Sequence, residues 1–124
     1  MPNAMQLDMF TTLSALADRP TYLHKSRDGY IAVSIAPESY PNTNAVTIHK
    51  NHAVSFFTED SDLLKKLADN GMCSVHITKE RPRDQYRHKF KNLTTQQVTQ
   101  HQDDFQKLVR DSIRIVTDRQ PMKR

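Results

Sequence analysis

Thr21-Tyr22-Leu23-His24-Lys25-Ser26-Arg27-Asp28-Gly29-Tyr30-Ile31-Ala32-Val33-Ser34-Ile35-Ala36 reads as two extended arms about a turn. In the second arm Ile31, Val33 and Ile35 alternate with Ala32 and Ser34, the period of a strand with one buried face. Ser26-Arg27-Asp28-Gly29 is rich in turn formers and ends in Gly. Thr21 to Lys25 and Tyr30 to Ala36 are therefore predicted to form a β-hairpin, the seed of an antiparallel sheet.

Outward from that hairpin, Pro37 to Asn44 is a polar loop with two prolines and two asparagines. A second hairpin follows, Val46 to His49 and His52 to Phe57 around Lys50-Asn51, with Val46, Ile48, Val54 and Phe56 as its apolar set. Thr58-Glu59-Asp60-Ser61 offers N-cap oxygens to a helix over Asp62 to Ala68, which Asn70-Gly71 closes. Met72 to Thr78 alternates again as a fifth strand, with Cys73, Val75 and Ile77 on one face. Lys79 to Asn92 contains Pro82 and no clear period, and reads as a loop or irregular arm. Thr94 or Thr95 caps a long helix to about Thr117, whose stripe is Val98, His101, Phe105, Leu108, Val109, Ser112, Ile113 and Val116. The expected fold is α+β: a mainly antiparallel sheet of about five short strands, with two or three helices against one face and a long C-terminal helix. Residues 19–118 form its single domain, and 119–124, with Pro121, a flexible tail.

A chain of 124 residues can bury one core without metals or disulfides. With 36% apolar residues and no Trp that core is modest, and no enclosed pocket for a large cofactor is expected. The lone Cys73 excludes an internal disulfide and suits a reducing compartment. No apolar run is long enough to cross a bilayer, so the chain reads as soluble and cytoplasmic. Charge is uneven: residues 1–62 carry a net −3 and residues 63–124 a net +7, within a total of +4. A basic second half favours a polyanion as partner.

Two readings meet at the N-terminus. Leu7, Phe10, Leu13 and Leu16 recur at helical spacing, as the core face of a first helix ended by Asp18-Arg19-Pro20. The stretch Gln6-Leu7-Asp8-Met9-Phe10 also resembles the docking peptide by which bacterial proteins bind the DNA polymerase III β sliding clamp, usually written Gln-Leu-Ser/Asp-Leu-Phe. Only Met9 departs from that pattern, an unbranched side chain of similar volume to Leu. The resemblance implies that Phe10 and Met9 are anchors in an apolar cleft, that Leu7 adds a second apolar contact, that Gln6 hydrogen-bonds and that Asp8 faces outward. It implies a setting in DNA replication, bacterial or on a mobile element. Residues 1–18 are thus either a docking segment or a short helix. The likeness covers five residues and says nothing of the fold.

Lys79, Arg81, Arg83, Arg87, Lys89 and Lys91, with Tyr86 and Phe90 among them, form the candidate nucleic-acid-binding segment. Their charges would neutralise phosphates while exposed rings stack on unpaired bases. The alternative is a solvated connector whose rings turn inward. His49-x-x-His52 and Cys73-x-x-His76 have ligand types suited to zinc, but residues three apart on a strand point to opposite faces, and no metal is assigned. No nucleophile with a base and no Gly-rich phosphate loop is present, so no catalytic residue is assigned. The expected function is a non-enzymatic accessory protein that binds the sliding clamp through Gln6 to Phe10 and DNA through the basic arm. The alternatives are a clamp-independent nucleic-acid-binding regulator, and a phage- or plasmid-encoded inhibitor of a host protein. The long helix could also pair with a second copy in a homodimer.

Overall fold

The alternating segments assemble into one antiparallel sheet. The computed structural model describes residues 2–38, 43–77 and 85–119. Strands β1 (Tyr22–Lys25) and β2 (Ile31–Ser34) make the first hairpin, and β3 (Asn44–Ile48) and β4 (Val54–Phe57) the second. Gly29 sits at φ +90° in the first turn, a conformation that side chains with a Cβ rarely take. Beyond β4 the chain passes through α2 (Ser61–Asp69) to the far edge, lays down β5 (Ser74–His76), and returns as β6 (Arg87–Phe90) between β4 and β5. The order is β1-β2-β3-β4-β6-β5, with every pair antiparallel.

Six strands stand where about five were expected, and the addition is β6 in the segment read as a loop or irregular arm. Its pattern is masked because Arg87 and Lys89 face one way and His88 and Phe90 the other, so only one position reads as plainly apolar. In β5, an edge strand, Val75 is 51% exposed, and Cys73 just before it is exposed too; the buried residue of the segment is Met72.

Helices α1 (Ala4–Ser14), α2, α3 (Thr95–Gln100) and α4 (Gln102–Asp118) complete the chain. Strand alternation puts Ile31, Val33, Val46, Ile48, Val54, Phe56 and Phe90 on one face, and the helices bury Met9, Leu13, Leu67, Phe105, Leu108 and Ile113 with them. At the centre, the rings of Phe56, Phe90 and Phe105 lie 5.6 to 5.9 Å apart. The expected continuous helix is broken at His101, whose φ −120° and ψ 44° are not helical. Thr94 and Gln97 close a capping box on α3, and α4 restarts after the break with its stripe against β3 and β4. That stripe is buried in the chain's own core.

Polar contacts fix α4 to the end of β4. Ser112 Oγ accepts from the Phe57 backbone N–H at 2.9 Å, and lies 3.1 Å from the Phe57 carbonyl and 2.7 Å from that of Leu108. Thr58 donates to Asp111 Oδ2 at 2.8 Å, and Lys107 binds both Asp111 and Asp60, the N-cap of α2. Among the described residues no helix is long and apolar enough to cross a membrane.

Candidate functional site

Gln6 to Phe10 lies within α1 and spans about one and a half of its turns. Asn3 and Gln6 close a capping box: the Gln6 N–H donates to Asn3 Oδ1 at 2.9 Å, and the Asn3 N–H donates to Gln6 Oε1 at 3.0 Å. The Gln6 amide nitrogen then donates to the carbonyls of Gly29, at 2.9 Å, and Ile48, at 3.1 Å. Gln6 is 0% exposed and Met9 1%. Phe10 is half-buried against the core, whereas Leu7 is 42% exposed and Asp8 is exposed. Residues two apart on a helix point to nearly opposite sides, so Leu7 and Met9 do not share an accessible surface.

Strand alternation divides the basic segment. Phe90, expected as a base-stacking ring, is 1% exposed with its edge against Phe56, and it belongs to the core. Tyr86 is half-buried against the same core, and its carbonyl accepts from the Thr58 N–H at 3.0 Å. His88 stacks on His76 at 4.8 Å. Arg87 and Lys89 face the other way, and Lys91 is exposed beyond the strand. Lys79, Arg81 and Arg83 lie outside the described residues.

The face turned away from the helices carries its own pattern. One cross-strand row runs His24, Ala32, Thr47, Ser55, Lys89, Val75. Its centre is small and polar, and Arg87 reaches over it: one guanidinium nitrogen donates to Thr47 Oγ1 at 3.4 Å, and the group lies 5.6 Å from the centre of the Phe57 ring. Arg119 lies 4.7 Å from that ring. His24 Nδ1 and Asn44 Oδ1 are paired at 2.8 Å, and Tyr30 and His49 place their rings 6.0 Å apart. The proton affinity of His49 is lowered, first by burial and then by the charges of Lys89 and Arg87. That is a local positive field on the sheet surface.

Comparison with family models, curated proteins and solved structures finds no match for the chain. The side chains are what remain to assign a role. Ion pairs among the described residues lie on the helices or beside them: Asp104 with Lys66, Asp60 and Asp111 with Lys107, Asp111 and Asp118 with Arg114, and Asp18 with Arg19 just after α1. Lys89 makes no ion pair with a described residue. No group of three His, Cys, Asp or Glu among the described residues could hold a metal; His76 faces His88, and His52 lies in a turn at φ 68°. The small side chains of the outer row are buried, Ala32 at 0%, Ser55 at 4% and Thr47 at 6% exposure, so what this face offers to solvent is the half-buried cations Arg87 and Lys89, which suit an anion.

Sequence reasoning located Arg87 and Lys89, and weighed His49 only as a metal ligand, but did not single out Thr47, Tyr30 or His24. The signal was the other parity of the hairpins. Where Ile31 and Ile48 point inward, Tyr30, Ala32, Thr47 and His49 point outward.

Proposed function

We propose that this protein is a non-enzymatic accessory protein that binds nucleic acid through the helix-free face of its sheet, with Lys89 and Arg87 as phosphate contacts. The observation that carries the reading is the placement of both cations on the face of β6 turned away from Phe90 and the core. Lys79, Arg81 and Arg83 precede them in the chain. Phosphate contacts of this kind position a strand with little regard to sequence. The test is fluorescence anisotropy with a labelled oligonucleotide across a salt series. Affinity is expected to fall steeply with salt, and Lys89→Gln to weaken binding and reduce the slope by about 1. Absence of binding at low salt, or a slope unchanged by Lys89→Gln, overturns the reading.

Clamp docking through Gln6 to Phe10 is the second reading, and exposed Leu7 is the observation that favours it. It requires α1 to be drawn out, with loss of the Gln6 contacts to Gly29 and Ile48 and of the burial of Met9. Removing a buried Met alone costs about 2–5 kcal/mol, a large share of the roughly 8 kcal/mol that a micromolar peptide contact supplies. The intact protein is expected to leave purified clamp unbound at tens of micromolar, a concentration at which binding needs only about 6–7 kcal/mol. Retention on the clamp that disappears with Leu7→Ala and Phe10→Ala would reverse the order of the two readings.

A further inference from the structure

Beside the cationic strand lies a ring pair that takes no part in the core. Tyr30 and His49 stand one step beyond the Ile31–Ile48 pair, where alternation turns them away from the helices. Their rings are tilted at 54° with centroids 6.0 Å apart, and both residues are half-buried, with part of each surface open. Neither side chain makes a hydrogen bond with a described residue. Two strand spacings, about 10 Å, separate β3 from β6. Thr47 and Ser55, small and buried side chains, lie between, so the parts open to a ligand are the rings and the cations.

We infer that Tyr30 and His49 form a stacking platform for an unpaired base while Lys89 and Arg87 hold the flanking phosphates, so that the ligand of this face is single-stranded nucleic acid. The inference rests on the reading of this face as a nucleic-acid interface. A base needs a π-face and a phosphate needs a cation, and this surface supplies both within the span of about a nucleotide and its neighbours. A duplex hides the faces of its bases and is read by an element inserted into a groove. The helices of the described residues lie on the other side of the sheet or are tied to those that do, so among the described residues none projects from this face. The charge next to His49 also acts in the right direction, since a bound phosphate would relieve the repulsion that Lys89 and Arg87 exert on its protonated form.

The experiment compares a labelled oligo-dT or oligo-U strand of about a dozen nucleotides with a duplex of equal length. The proteins are the unaltered chain, Tyr30→Ala, Tyr30→Phe and Lys89→Gln. The unaltered chain is expected to prefer the strand, and Tyr30→Ala to weaken strand binding about tenfold with little effect on the duplex. Tyr30→Phe keeps the affinity and Lys89→Gln weakens both ligands. The dT and U arms show whether the sugar matters. The chain has no Trp, so tyrosine emission gives a second readout in a protein with an intact ring pair: strand binding quenches it, and Tyr30→Phe removes part of that quench. If Tyr30→Ala binds the strand as tightly as the unaltered chain while Lys89→Gln still weakens both ligands, the platform fails and the phosphate reading stands. If the unaltered chain binds neither ligand, the reading of the face itself fails.

Discussion

Gln6 decides between the two lives of the N-terminal segment. Spacing alone left Gln6-Leu7-Asp8-Met9-Phe10 open to a docking peptide or a helical core face, because both use Leu7 and Phe10 as apolar contacts; the helix instead buries Met9 and leaves Leu7 exposed. The helix was legible in the recurrence of Phe10 and Leu13. The buried role of Gln6 was not, since a polar residue enters a core only where distant carbonyls await it, here those of Gly29 and Ile48. Gln6→Ala is expected to destabilise the fold by about 2–3 kcal/mol through those two unsatisfied acceptors, read as a lower urea midpoint. Histidines give a second test. His49 and His88 both titrate below the ordinary 6.5, from burial first, then from Lys89 and Arg87 for His49 and from His76 for His88. The unfolded chain takes up protons near that value that the folded chain refuses, so stability is full above it and falls as pH drops below it. The urea midpoint should be flat above neutrality and decline in mildly acid buffer. Lys89→Gln removes one repelling charge and should make the decline shallower, with the His49 titration followed by NMR.

Elements with strong local patterns were readable: both hairpins, helix α2 with its Asp60 cap, and the amphipathic stripe of α4. The misses share a cause. Strand β6 owes its place to pairing with β4 and β5 and not to a run of apolar residues, and edge strand β5 leaves Val75 exposed, as is Cys73 before it. The break at His101 leaves the apolar spacing nearly intact, so periodicity ran straight through it. Helix α4 meets β4 through Ser112, whose hydroxyl serves both backbone groups of Phe57 in place of a strand. Ser112→Ala should cost about 1–3 kcal/mol by leaving a buried N–H without a partner, read by chemical denaturation. Amide exchange at Phe57 should speed up in the same variant.

At the scale of the molecule, one sheet separates two chemistries. Its inner face holds the three phenylalanines and the helices; its outer face holds Arg87, Lys89 and the Tyr30–His49 pair. The uneven charge along the chain foreshadowed this division, but its location needed the strand register, which a one-residue slip would invert. Nucleic-acid binding should stabilise the fold by mass action, so the melting temperature is expected to rise with added oligo-dT in low salt, and less so for Lys89→Gln. The most direct measurement is an amide NMR titration with single-stranded oligonucleotide. The account predicts shifts concentrated on Tyr30, Thr47, His49, Ser55 and Lys89, with α1 unmoved. Shifts confined to α1, or none at all, would contradict it.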